Sequence, residues 1–527
     1  MTFDRSASLQ RLADERFDVL VVGGGITGAG VALDAASRGL RTALVERRDL
    51  ASGTSSKSSK LVHGGLRYLQ QREFRLVYEA LAERQRLRRN APHLVRLLPF
   101  LIPMFGKGGV VNPKLAKAFS TALWLYDLTG GARIGKLHER ISAADTMAHM
   151  PTLDPAKVVS GYVYYDAHTD DARLTLAVAR TAADHGAAVA NWCPVVDLTR
   201  DGDGVVRGAV VRPAEGEVTI AIRAEAVVNA TGVWSDEVRA LEDGLHPGSL
   251  RPAKGIHITV PWTKVRNDIA AVVPVPRDRR SVFVVPQGDR TYIGTTDTDY
   301  DGPLDDPRCT AEDVEYLLSA INFSVVEPLT TDDVLGTWAG LRPLVRTARS
   351  ARTADLSRRH SVTRSGGGLV TVTGGKLTTY RRMSADAVDA VVEGLGRRGR
   401  SRTRKLALHG AEGFAPLEQD GAAERLGLAP EVLAHLAGRH GGEARTLAAL
   451  VAADPALGRP LVEGLPHLRA EAVHAARYEM ARTLDDVLSR RIPARWLAGE
   501  ASVVAAEDTA RLVGPELGWS EGDAARE

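Results

Sequence analysis

Cysteine is almost absent from this 527-residue chain: Cys193 and Cys309 stand alone, which excludes a disulfide framework, a C-x-x-C redox pair and a thiolate zinc site. The composition points to a reducing compartment. No apolar stretch reaches the ~18 residues that cross a bilayer. The segment Met1 to Phe17 is polar and charged without an apolar h-region, so no secretory signal is expected there. No H-E-x-x-H or comparable ligand set occurs, so metal catalysis is not expected. Neither sign of charge predominates, with 68 Lys and Arg against 65 Asp and Glu. A net +3 is too small to imply nucleic acid, although a pI near 8.8 and local arginine clusters leave anionic partners open. What remains is an ordinary soluble composition, 44% hydrophobic and 25% charged, long enough for about three domains.

What the chain does have is glycine in register. Val19–Val22 is an apolar strand that breaks at Gly23, Gly24 and Gly25 and runs on through Ile26, Thr27 and Gly28. Gly23, Gly25 and Gly28 fit G-x-G-x-x-G, a turn that brings backbone N–H groups and a positive helix end against a pyrophosphate. A small-residue helix, Ala29–Arg38, and a second strand, Thr42–Glu46, follow. Glu46 lies about 20 residues past the glycines, placed to accept from a ribose hydroxyl. Next comes the hydroxyl and lysine run Ser52–Lys60, in which Thr54, Ser55 and Ser59 extend the phosphate cradle, and then His63, Gly64, Gly65, Leu66, Arg67 and Tyr68. The spacing predicts an amphipathic helix over Glu73 to Arg89 with a solvated arginine face.

Further along, a helix over Arg173 to His185 precedes a strand over Ala187–Val196. A hairpin of Val205–Arg212 with Glu217–Ile222 comes next, then a buried strand, Ala226–Ala230, ending at Thr231 and Gly232, where a glycine lets backbone approach a ligand or simply turns the chain. Ser281–Pro286 and Thr291–Gly294 flank a turn, a second hairpin. Leu369–Val372 then leads into Gly374, Gly375, Lys376, Leu377 and Thr378, a second strand–glycine–helix unit. Its helix end is expected to favour negative charge on a reduced redox ring rather than a phosphate. Past residue 405, Ala/Leu/Arg/Glu-rich segments read as an all-α domain with no catalytic constellation, and residues 515–527 are expected to fray.

These motifs, with Asp170–Leu174, Asn229–Trp234, Lys254–His257, Ile293–Asp297 and Gly340–Leu344, resemble the FAD-dependent glycerol-3-phosphate dehydrogenases of aerobic respiration over nearly the whole chain. The resemblance implies an α/β fold: a discontinuous, glutathione-reductase-like FAD-binding domain (17–90, 170–235 and 338–395), an antiparallel-sheet α+β substrate cap (91–169 and 236–337) and an all-α C-terminal domain (405–515). It implies FAD as cofactor and oxidation of sn-glycerol 3-phosphate to dihydroxyacetone phosphate, with hydride passing from C2 to flavin N5. Cofactor contacts fall to Gly23–Gly28, Glu46, Thr54, Ser55, Ser59, His63–Leu66, Ala230, Gly232 and Gly374–Thr378. Arg67, Arg342 and Lys376 are expected to grip the phosphate, with Tyr68 and Thr295 orienting the substrate. His257 is the first choice of base for the C2 hydroxyl and His63 the reserve.

The resemblance also implies a membrane quinone as electron acceptor, with oxygen the alternative, a homodimer, and peripheral association with the inner face of the cytoplasmic membrane. Two segments are candidates for the anionic lipid surface: the apolar run Leu94–Phe105, which suits a cap interior equally well, and the helix Tyr380–Leu395 with the basic string Arg397–Lys405. An amine-oxidase-type flavoenzyme would lack the paired-arginine phosphate site. The second glycine turn argues against an NAD(P) enzyme. No RNA-binding signature accompanies the basic string.

Overall fold

In the computed structural model the described residues are 3–527, apart from 66–72, 111–115, 129–134, 215, 217, 277, 279 and 347–358. Two sheets and a helical C-terminal unit make up the molecule. Five parallel strands form the centre of the first sheet, in the order Val370–Gly374, Ile220–Asn229, Arg16–Val22, Thr42–Val45 and Ala188–Ala190. They are almost continuously apolar because both faces are covered. On one face the helix Ile26–Ser37 packs against Asp171–Asp184 and Tyr380–Gly394. Gly28 makes the sharp strand-to-helix turn possible, since a Cβ there would lie 1.8 Å from the carbonyl oxygen of Gly23.

The expected hairpin arm and buried strand around residues 217–230 are one strand. Ile220–Asn229 pairs antiparallel with Val206–Val211 at its start and parallel with Arg16–Val22 along its length. The expected strand over 187–196 is instead two, Ala188–Ala190 and Val195–Arg200. Trp192 breaks it with a left-handed backbone (φ 50°), and the Asn191 amide bonds Asp49 Oδ1 (3.1 Å) and the Met480 carbonyl (2.8 Å).

A second, mostly antiparallel sheet of ten strands faces the first. Its membership corrects two boundaries. Leu61–Val62 pairs with Val158–His168, and Gly336–Val345 pairs along its length with Leu250–Pro261, so the chain enters this sheet well before residue 91 and leaves it after 345 rather than at 337. The arginine face of the helix Phe74–Asn90 is not wholly solvated either. Arg84 is fully buried, donating to Asp166 Oδ1 (2.5 Å) and the Tyr165 carbonyl (2.7 Å). Asp166 also accepts from Tyr126 Oη and Gly64 N, so the pair anchors the His63–Gly65 segment.

The apolar run near residue 100 is interior. The strand Arg96–Phe105 lies between Ala270–Pro274 and Val158–His168 with Phe100, Leu101, Ile102 and Phe105 buried, which removes it as a lipid contact. The apolar face of Tyr380–Gly394 is likewise spent on the core, through Val388, Val391 and Val392. Among the described residues no helix is long and apolar enough to cross a membrane.

The C-terminal helices dock through buried ions. Glu479 takes Arg173 Nη1 on both oxygens (2.7 Å each), and Asp49 takes Arg490 and Arg491. The last residues are not frayed: Glu521–Arg526 is helical and Glu527 accepts from Leu484 N (3.1 Å).

Candidate active site

Three glycine-bearing turns, at Gly23–Gly28, Gly232 and Gly374–Gly375, sit at the carboxyl ends of parallel strands, where an open α/β sheet binds its ligand. They open on a cavity of about 920 Å³ between the two sheets. Gly23, Gly25, Ile26 and Thr27 line it, with Glu46, Thr54, Ser55, Ser59, His63, Gly65, Ala230, Gly232 and Gly374 through Thr378. Gly24, Gly28 and Gly64 do not; they hold the turns behind the wall. Gly24 N donates to Glu46 Oε2 (2.6 Å), and Gly64 N to Asp166 Oδ1 (3.1 Å). Leu66, Arg67 and Tyr68 lie outside the described residues.

The cradle fits a dinucleotide. Ser55 Oγ accepts from Ile26 N (2.9 Å) at the start of the helix, beside Gly25, so hydroxyl and helix end face one anion position. Glu46 is held by Gly24 N and Arg48 N (2.9 Å); burial raises its pKa and these two donors oppose the rise. Thr231 lines the same end, as does Trp234, which no sequence feature distinguishes although it falls inside the Asn229–Trp234 motif. Arg47 stacks over Trp234 (4.4 Å to the ring centre) and pairs with Asp305, closing this end from the second sheet. Thr378 Oγ1 accepts from His63 N (3.1 Å), tying the second glycine turn to the segment after the serine run.

The opposite wall is polar and cationic. Arg342, on the strand Gly336–Val345, donates to Thr295 Oγ1 (3.0 Å), the Thr296 carbonyl (3.2 Å) and Asp297 Oδ1 (3.1 Å). Its guanidinium lies over Gly255, where a Cβ would meet Nη2 at 2.5 Å, which explains the glycine next to Lys254. Lys254 itself is spent on Asp313 (2.6 Å). Lys376 lines the cavity at the start of the turn Leu377–Thr379.

His257 is enclosed, 2% exposed, stacked on Trp338 (4.6 Å between centres, 7° between planes). Its Nε2 lies 2.9 Å from Ser59 Oγ, and its Nδ1 has no hydrogen-bond partner among the described residues. Burial, then the nearby Arg342 and Lys60 charges, holds its pKa well below the ordinary 6.5, so the ring is neutral. Ser59 thus faces both the cavity and the imidazole. The serine run also serves the cap: Trp338 Nε1 donates to the Ser58 carbonyl (3.2 Å) and Tyr292 Oη to that of Ser59 (3.1 Å). Among the described residues His440, His474 and Glu479 have the spacing of metal ligands, but Arg173 occupies both Glu479 oxygens and bonds His440 Nδ1 (3.0 Å).

A dinucleotide cradle facing an arginine–threonine–histidine wall agrees with the comparisons to known proteins. A family model described as FAD dependent oxidoreductase matches residues 18–381, and one described as the C-terminal domain of alpha-glycerophosphate oxidase matches 401–524. The chain is 44% identical over 530 residues to glycerol-3-phosphate dehydrogenase 2 of Mycobacterium tuberculosis, covering 99% of this chain and 88% of the relative. It is 37% identical to the human mitochondrial glycerol-3-phosphate dehydrogenase, covering 98% and 73%. The crystal structure of the glycerol-3-phosphate dehydrogenase from Bacillus halodurans complexed with FAD superposes with a TM-score of 0.81 at 31% identity, covering 100% of this chain and 95% of that one. The chain is an FAD-dependent oxidoreductase and belongs to the glycerol-3-phosphate dehydrogenase family.

Proposed function

We propose that the cavity oxidises sn-glycerol 3-phosphate to dihydroxyacetone phosphate and that the electrons go to a membrane quinone. The observation that carries the reading is Arg342 and Thr295 on one cavity with the glycine cradle and with Ser59–His257. FAD, when bound, supplies the two-electron acceptor for the hydride on C2. The chain's own residues do the rest. Arg342 and Lys376 hold the phosphate dianion, the guanidinium through its planar fork. Thr295, the Thr296 carbonyl and Asp297 together fix the guanidinium at the cavity wall. The C2 hydroxyl proton leaves through Ser59 Oγ toward His257 Nε2; a neutral imidazole has a lone pair to offer, and Trp338 keeps the ring aligned. The two sheets exclude water around the reacting carbon.

For the lipid surface we propose the basic string. Arg398, Arg400, Arg402, Arg404 and Lys405 are exposed, whereas Arg397 is paired with Asp18 (3.2 Å) and Glu225 (3.0 Å). Five such cations next to anionic headgroups attract by about 1 kcal/mol each. We assign the enzyme to the inner face of the cytoplasmic membrane as a peripheral homodimer.

The test is anaerobic. Glycerol 3-phosphate should bleach the flavin absorbance of the FAD-loaded protein, and a soluble quinone analogue should restore it faster than air does. A flavin that stays oxidised in the presence of the ester ends the substrate assignment; reoxidation by oxygen alone ends the quinone assignment.

A further inference from the structure

Arg280 is part of the cavity wall, yet no motif drew attention to it: in the sequence it closes the run Arg277–Asp278–Arg279–Arg280 before a hairpin strand. In the fold it converges with Arg342 on one residue. Arg280 Nη1 donates to the Asp297 carbonyl (2.8 Å), while Arg342 Nη1 donates to Asp297 Oδ1 (3.1 Å). The rest of Arg280 is lightly held. Its Nε lies 3.4 Å from Asp278 Oδ2, a carboxylate that also accepts from Tyr316 Oη (2.8 Å), and its Nη2 has no acceptor among the described residues. With about a third of the side chain exposed, that open edge belongs to a group in the cavity wall.

We propose that Arg280 is a second arginine of the phosphate grip, paired with Arg342 across Asp297; the inference rests on the substrate reading above. Two guanidiniums brought this close repel each other, so something must hold them in the substrate-free protein. Asp297 does so with one backbone and one side-chain oxygen. Its negative charge, with that of Asp278 at 3.4 Å from Arg280 Nε, offsets the two guanidiniums, and a phosphoester dianion is taken up by the N–H groups that neither carboxylate engages. Arg342 alone, already bonded to Thr295, Thr296 and Asp297, has little donor capacity left for three phosphate oxygens. Arg280 adds a planar fork whose outer N–H groups are uncommitted. A surface ion pair with Asp278 would not require the arginine to reach Asp297 nor to line the cavity.

The experiment compares the FAD-loaded full chain with Arg280→Gln and Arg280→Lys. Read out are KM and kcat for glycerol 3-phosphate with an artificial acceptor dye, the inhibition constant of inorganic phosphate, and the thermal shift that inorganic phosphate produces without turnover. Loss of a charge-assisted contact to a dianion corresponds to roughly 10- to 150-fold in affinity. Arg280→Gln should therefore raise KM and the phosphate inhibition constant together by at least about 10-fold and abolish the thermal shift, with the flavin spectrum intact. Arg280→Lys should recover part of each. Two results overturn the proposal while wild-type enzyme still oxidises the ester: both constants unchanged within about 2-fold, or kcat falling with KM and the phosphate constant unmoved, which marks a residue that only positions Asp297. Wild-type flavin that the ester fails to bleach sinks the substrate reading itself, a separate outcome.

Discussion

Asp49→Asn exchanges one oxygen for an NH2 group, but at a position where both oxygens are fully engaged. Asp49 is completely buried. Its Oδ2 accepts from Arg490 Nε (2.6 Å) and Arg491 Nη1 (2.7 Å), its Oδ1 from Arg491 Nη2 (2.8 Å) and Asn191 Nδ2 (3.1 Å). Burial would raise this carboxyl's pKa, and Arg491 with Arg490 instead holds it below the usual range. Whichever way the asparagine faces, its NH2 meets at least one arginine N–H. Arg490 keeps Asp485 (2.7 Å) and Asp486 (2.5 Å), but Arg491 keeps only the Glu479 carbonyl (2.6 Å) and a carboxylate at 3.7 Å. Breaking a buried pair by removing one partner costs about 3–5 kcal/mol, a large part of the ~5–15 kcal/mol that holds a protein folded.

Position makes the loss visible twice. Asp49 is three residues past Glu46, on the segment that borders the Glu46–Trp234 end of the cavity, and its arginines belong to the C-terminal helices. The variant should lower the urea midpoint of the FAD-loaded protein by the equivalent of 3 kcal/mol or more, and it should also lose flavin during gel filtration. A stability change under about 1 kcal/mol with flavin retention unchanged would refute the reasoning, because the cluster would then be no more than an exposed ion pair in effect.

Three further outcomes follow from the same geometry. Gly28→Ala should yield protein without flavin, read from the ratio of visible to ultraviolet absorbance, since its Cβ would overlap the Gly23 carbonyl oxygen and no backbone there can yield cheaply; a yellow variant refutes this. Arg342→Ala should raise KM for glycerol 3-phosphate and lower kcat, by about 100-fold or more in kcat/KM, and an unchanged ratio removes Arg342 from the site. Stability should fall as the pH drops below about 6.5. Burial, then the neighbouring Arg173 charge, pushes the pKa of His93 and of His440 down to about 3, so the unfolded chain binds protons there before the folded one does. Each should contribute about 1.4 kcal/mol per pH unit between 6.5 and its folded value. His409, raised by Asp184 and Glu443 against its own burial, works in the opposite sense. Urea midpoints at pH 7 and pH 5 for wild type and His440→Gln measure the slope, and an equal slope in both contradicts the assignment.

Local chemistry is legible in the chain because it depends on neighbours in sequence. The strand–glycine–helix register at 19–28, the hairpin around 288 and the helical periods past 405 each follow from φ limits, turn residues or period, and each is present. Sequence distance hides the rest. Nothing in the pattern of residues 73–89 marks Arg84 as buried, since its partner Asp166 lies 82 positions away. Arg280 and Arg342 have no common motif and meet only because two strands of one sheet bring them to Asp297. The apolar run near residue 100 has a hydropathy that suits a lipid contact and a central strand alike, and only its pairing on both edges separates them. Covalent neighbours therefore dictate which turns and helices form, while charge pairing and the partners of each strand are settled by contacts that exist only once the sheets have closed on each other.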